Sequence, residues 1–165
     1  MFKYSTDPDL VKAGYDISSF KPGAVFNDEQ HANAGVALFK QLTDCELIYH
    51  NHFDLVEKGK WTRDAIITGL IRKDRIYFIK NREGKFIGMA AIGPTEFENT
   101  IRLTGVVIDK KFRGRGLGKH LIKHIMNDNA GKMIQLTVNA ANPNGFNLYK
   151  SLGFKITDYR MVLKQ

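Results

Sequence analysis

Several things are scarce in this sequence. Cys45 is the one cysteine among 165 residues, so no internal disulfide can form and a disulfide-stapled secreted scaffold is excluded. With only 4 prolines and no internal repeat or low-complexity tract, the chain is neither a disordered tail nor a fibrous or solenoid array. No apolar stretch reaches the ~18 residues that span a bilayer, so no membrane partner is expected. The start, MFKYSTDPDL, has no basic region running into an apolar one, so export is not expected and the protein is placed in the cytoplasm.

What remains is an ordinary globular composition, 43% apolar and 25% charged, at a length suited to one domain over residues 1–165. Its 25 basic and 17 acidic residues give a formal charge of +8. That balance favours an anionic partner such as nucleic acid, a phosphate-bearing cosubstrate or an acidic protein, and is equally met by a solvated basic surface. Nothing in it distinguishes a monomer from a homodimer.

The two halves read differently. Residues 1–75 look mainly helical after a short strand near Phe2 to Ser5: Asp7-Pro8 starts a helix, Asn27-Asp28 caps one running toward Leu42, and Asp54 to Ile71 has helix-like apolar spacing. Gly and Pro cluster between Gly14 and Val25, and no element is assigned there. From residue 75 the period becomes strand-like, with a hairpin of Ile76–Ile79 and Phe86–Ile92 around Asn81–Gly84, and a third strand over Ile101–Ile108. Leu117, Leu121, Ile122, Ile125 and Met126 then form one face of a helix. A short strand over Met133–Val138, a short helix over Asn144–Ser151 and a strand pair within Phe154–Leu163 complete an α+β domain with a central mixed, mostly antiparallel sheet flanked by helices.

The most informative segment is Arg113-Gly114-Arg115-Gly116-Leu117-Gly118-Lys119, between a strand and an amphipathic helix. Glycines let the backbone approach a ligand, and a helix N-terminus offers unpaired N–H groups and partial positive charge, so with the basic side chains the segment suits a pyrophosphate. A surface turn is the plain alternative. A Walker A loop would need a glycine where Arg113 stands and Ser or Thr where His120 stands. A dinucleotide fingerprint fails as well, because the third glycine comes one position early and Leu136 stands near the acidic position.

The segment resembles the acyl-CoA-binding motif R/Q-x-x-G-x-G/A of the GNAT N-acetyltransferase family, matched by Arg113, Gly116 and Gly118 after the strand Val106-Val107-Ile108. A second family element, an Asn, a short helix ending in an aliphatic-Tyr pair, then Gly-Phe, is matched by Asn142 through Leu148-Tyr149 to Gly153-Phe154. The resemblance covers residues 76–163 and implies an acyl-CoA-binding half there, with residues 1–75 as a variable acceptor-side half. It implies the GNAT-like acyl-CoA N-acyltransferase fold and an enzyme that moves an acetyl group from acetyl-CoA to a primary amine, small or macromolecular. It further implies that the backbone of Val106, Val107 and Ile108 pairs with the pantetheine arm and that the N–H groups of Arg113, Gly114, Arg115, Gly116, Leu117, Gly118 and Lys119 hold the pyrophosphate. Asn142 would lie beside the cosubstrate, with Tyr149 near its sulfur as proton donor to the departing thiolate. For Tyr149 the competing role is that of a core aromatic.

The sequence departs from the family in places. Ile101-Arg102 stand where many relatives carry a glutamate, so the general base is open between Glu96 or Glu98, acting directly or through water, and release of the proton to solvent. Lys110 replaces a common proline. His120 and His124 lack the glutamate and third ligand of a zinc helix, and Cys45, His50 and His52 have weak ligand spacing, so no metal is expected. The competing function is a catalytically silent CoA-binding or nucleic-acid-binding module using the +8 charge, with Tyr15, Phe20, Phe26, Tyr49 and Trp61 as stacking aromatics.

Overall fold

The computed structural model describes residues 3–4, 8–22, 28–50, 62–159 and 161. Its organising element is β3 (Arg75–Lys80), whose four central residues are all buried. Alternate side chains of a strand point to opposite faces, so such a run needs cover on both sides. Tyr77 and Ile79 pack on one face with Leu117, Leu121, Ile122 and Ile125, while Ile76 and Phe78 pack on the other with Val36, Leu38, Ile66 and Leu70.

Around it the chain runs β1 (Lys3–Tyr4), α1 (Pro8–Lys12), β2 (Asp16–Phe20), α2 (Glu29–His50), α3 (Arg63–Ile71), then β3, β4 (Phe86–Pro94), β5 (Thr100–Ile108), α4 (Leu117–Asp128), β6 (Met133–Gln135) and α5 (Pro143–Ser151). The six strands lie in sequence order in one sheet. The first five are antiparallel neighbours, and β6 joins β5 in parallel. The sheet is therefore mixed and mostly antiparallel, as expected. The α4 face also matches its expected apolar positions, with Leu117, Leu121, Ile122 and Ile125 buried. Among the described residues no helix is long and apolar enough to cross a membrane.

Three elements differ from expectation. Asp16–Phe20, where no element was assigned, is a strand paired along β3. Its Ser18 and Ser19 are buried among apolar neighbours, which hides the strand from a hydrophobicity pattern, and the Ser19 hydroxyl is satisfied by the Arg75 guanidinium at 3.3 Å. The strand expected over Met133–Val138 stops at Gln135. The strand pair expected within Phe154–Leu163 is absent among the described residues of that segment, where Ile156, Tyr159 and Met161 stand mostly exposed. A three-residue β6 leaves a short edge to pair with, and beyond Phe154, which packs at the margin of the α4 core, the described apolar side chains of the tail stay exposed. Of the helix expected over Asp54–Ile71, the described part begins at Arg63, with the Thr62 side chain accepting from Ala65 N–H as its N-cap.

The C-terminal end of α4 is fastened to β3 by a buried polar cluster. Tyr77 Oη donates to Asp128 Oδ2 at 2.8 Å and accepts from Asn129 Nδ2 at 3.2 Å, with Arg75 3.8 Å from the same carboxylate oxygen. Burial pushes the Tyr77 phenol well above its usual range, so it stays a donor at all working pH values. Removing a hydrogen bond to a buried charged partner costs more than a neutral one. Tyr77→Phe is expected to lower unfolding free energy by about 2 kcal/mol in urea titration with an unchanged slope, since burial of the ring is kept.

Candidate functional site

β5 pairs with β4 along nearly its whole length but with β6 only over Thr100–Arg102. From Leu103 to Ile108 its second edge has no strand partner among the described residues, although backbone N–H and C=O groups there still require one. The register with β4 shifts between Met89 and Ala91, opposite Gly105, whose φ of +66° is open to glycine at little cost. This bulge bends β5 and increases its twist. Past it, Val107 enters the core beneath α2 and α3, while Val106 and Ile108 pack at the margin of the α4 core.

Groups of this edge can be traced. Asp109 N–H bonds back to Ile87 O on β4 at 2.8 Å. Because successive N–H groups alternate sides along a strand, Ile108 N–H points toward the open edge. The Ile108 carbonyl accepts from Arg113 Nε at 2.8 Å, so this arginine clasps the loop to the end of the strand. Lys110 N–H donates to Gln41 Oε1 at 3.0 Å, and Lys111 N–H to Asp109 Oδ1 at 2.9 Å. The latter bond holds the Asp109 carboxyl below the usual range.

The loop then enters α4 through Gly116, with φ of +77° and no side-chain cap on the helix. The first N–H groups of α4 are thus left to a ligand or water. Gly118 sits where α4, β5 and α5 meet: a Cβ there would lie 3.5 Å from Leu148 Cδ2 and 3.8 Å from Ile108 Cγ1. Arg115 reaches Tyr15 Oη at 3.4 Å and lies 5.1 Å over the Phe112 ring, while Lys119 is exposed. Strand edge, glycine turn and uncapped helix form one continuous surface that suits an extended chain ending in a pyrophosphate.

α5 closes the cleft. Its N-cap is Asn142, whose carboxamide oxygen accepts from Gly145 N–H at 2.9 Å; a Cβ on Gly145 would fall 2.7 Å from the Asn142 amide nitrogen. Asn142 therefore shapes the start of α5, a role the sequence reading did not give it. Tyr149 packs at the margin of the α4 core, edge-on to Phe154 at 5.8 Å, and burial raises its phenol above the usual value. It is half-buried and neutral, as both the proton-donor and the core-aromatic roles require.

Glu96 and Glu98 are not brought to this surface. They are exposed in the turn before β5, which is pinned by Thr95 Oγ1 donating to Phe97 O and Thr100 O. From Thr100 to Gly105 the strand alone covers about 16 Å at about 3.3 Å per residue. Among the early aromatics, Phe20 is buried and stacked on Phe78 at 5.5 Å, leaving no ring face for a base. The side chains of Phe26, Tyr49 and Trp61, and those of Cys45, His50 and His52, lie outside the described residues. His124 packs edge-on to Tyr77 at 5.8 Å, and among the described residues no three His, Cys, Asp or Glu gather to hold a metal.

One feature near the bulge had no signal in the sequence. A cavity of about 270 Å³ opens between α2, α3 and the sheet, walled by Phe39, Leu42, Ile66, Leu70 and Met89 and reaching Thr104 and Gly105 of β5. Its residues come from four elements far apart in the chain, so only the fold assembles them.

Comparison with known proteins agrees with this geometry. The model of the acetyltransferase (GNAT) family matches residues 36–154. The N-alpha-acetyltransferase RimI of Mycobacterium tuberculosis is 31% identical over 71 residues, 42% of this chain and 44% of its own. The N-acetylaspartate synthetase of Danio rerio is 30% identical over 83 residues, 48% of this chain and 29% of its own. The chain thus spans less than half the length of these curated relatives. The aminoglycoside N-acetyltransferase AAC(6')-Iy, solved in complex with CoA, has a TM-score of 0.64 at 19% identity, covering 92% of this chain and 94% of that one, a likeness of fold.

The loop geometry yields a direct test. Gly116→Val forces a β-branched residue into a left-handed conformation, costing about 1–2 kcal/mol, and places a side chain over the helix N-terminus. Gly116 is exposed, so the variant is expected to keep its circular dichroism spectrum and melt cooperatively, while calorimetric titration with CoA shows affinity reduced at least a hundredfold.

Proposed function

Since the chain belongs to the GNAT acetyltransferase family, as the match over residues 36–154 establishes, we propose that it transfers an acetyl group from acetyl-CoA to a primary amine by direct attack on the thioester. The observation that carries this reading is the unpaired edge of β5 leading into the uncapped, glycine-rich start of α4. A strand edge gives an extended pantetheine-like arm backbone partners, and the helix N-terminus with Arg115 and Lys119 nearby favours the pyrophosphate.

In this reading the amine's lone pair attacks the thioester carbonyl carbon. An ammonium acceptor first gives one proton to solvent. The C–N bond then forms, the attacking nitrogen gives up a second proton to water, and the C–S bond breaks. The thiolate takes one proton to become a thiol, the donor regaining its own from solvent, so that one proton is released net. An N–H on the open edge of β5, Ile108 the traced one, stabilises the negative charge that gathers on the carbonyl oxygen, worth about 3 kcal/mol when well aimed. Tyr149, beside the cleft, supplies the proton to sulfur. With Glu96 and Glu98 in a distant exposed turn, the amine loses its proton to solvent before attack.

Two outcomes follow. Tyr149→Phe keeps the ring that packs on Phe154 and loses only the hydroxyl, so turnover is expected to fall about a hundredfold with an unchanged dissociation constant for acetyl-CoA; an unchanged turnover returns Tyr149 to a packing role. The pH profile supplies the second. The rate is expected to rise with pH along the acceptor amine's own pKa, identically in the Glu96→Gln and Glu98→Gln variants. Because burial raises the Tyr149 phenol, loss of the donor proton falls on the alkaline side of an ordinary tyrosine's, and the profile stays flat through the intervening range.

A further inference from the structure

None of the described residues lining the cavity between α2, α3 and the sheet belongs to the 106–108 edge or the 113–119 loop, yet the cavity ends on Gly105 of the same strand. We propose that it holds the acceptor, and that the acceptor is a small primary amine with an apolar body and a carboxylate, the carboxylate pairing with Lys73. This rests on the acetyl-transfer reading above and adds the class of substrate.

The lining argues for each part. Its walls are aliphatic and aromatic, and at about 270 Å³ the space suits a molecule of amino-acid to dipeptide size. The Thr104 hydroxyl already donates to Ala91 O at 3.2 Å, so it offers no free proton. Among the described lining residues Lys73 is the charged one, and none of them carries a carboxylate. Its stem lies over β4 at Gly93, where an added Cβ would come within 3.7 Å of Lys73 Cδ. Gly93 is two residues from Ala91, about 7 Å along the strand from the bulge. An amine at Gly105 therefore leaves its other end near the ammonium of Lys73. A polycationic acceptor would meet the like charge of Lys73, with no carboxylate among the described lining residues to neutralise it.

Gly69 supports the same assignment. It lies inside α3, where glycine costs about 1 kcal/mol relative to alanine, and it faces the cavity with nothing within 4 Å of an added Cβ. Gly69 is itself exposed, so the missing side chain leaves the cavity open on that side.

The test uses the whole protein with acetyl-CoA and follows thiol release. Leucine and 6-aminohexanoate are compared with leucinamide and hexylamine, their partners without the carboxylate, and with spermidine as a cationic amine. The carboxylate-bearing amines are expected to show kcat/KM at least tenfold higher than their neutral partners, and Lys73→Met to bring that ratio to about one. Gly69→Leu fills the cavity without strain, so the acceptor KM is expected to rise at least tenfold while the melting temperature does not fall and the acetyl-CoA affinity, read by calorimetry, is unchanged. Equal use of acids and amides, preference for spermidine, or a ratio unmoved in Lys73→Met overturns the acceptor assignment while CoA binding still stands. Absence of CoA binding overturns the acetyl-transfer reading and this one with it.

Discussion

The proposed donor site depends on a strand left half unpaired among the described residues. Backbone N–H and C=O groups buried without partners are costly, and among the described residues β5 has ladder partners on its β6 side only over Thr100–Arg102. The bulge at Gly105 bends the rest of the strand, and α5 comes up against α4 at Gly118. What a sheet normally gives to a neighbouring strand is here available to a bound chain.

The rest of the molecule holds that edge open without letting it collapse. Strands β3 and β4 are buried on both faces, so the sheet is stiff where β5 leans on it. Arg113 caps the Ile108 carbonyl, and Gln41 ties α2 to the loop through Lys110 N–H. The far end of α4 is fixed by the Tyr77–Asp128–Asn129 cluster. Anchoring on both sides of a turn with two left-handed glycines, Gly114 and Gly116, fixes the helix N-terminus in advance, which would lower the ordering cost of binding the proposed pyrophosphate there.

The second half of the chain was legible because each local signal agreed with its neighbour. Alternation gave the hairpin, the spacing of Leu117, Leu121, Ile122 and Ile125 gave the buried face of α4, and glycines between strand and helix gave the turn. Signals failed where tertiary contact decided the outcome. β2 escaped notice because Ser18 and Ser19 are buried by pairing with β3 and by the Arg75 contact, neither visible as periodicity. The tail's apolar residues suggested strands, but a strand also needs an edge to join. The carboxamide of Asn142 also caps α5, a structural part that the family motif does not announce. Glu96 and Glu98 directly precede β5 in sequence, and the length of the strand from Thr100 to Gly105 lies between their turn and its open edge. The acceptor-side cavity had no sequence signature, since its lining is drawn from α2, α3, β4 and β5 together.

The central claim, that the open edge of β5 and the start of α4 receive the acyl donor, is tested most directly by amide hydrogen exchange with and without saturating CoA. The account predicts slowed exchange over residues 103–108 and 114–119, since those N–H groups gain partners, with β2 and β3 unchanged. CoA that binds yet leaves both segments exchanging as before, or protects amides on another face of the sheet, contradicts it.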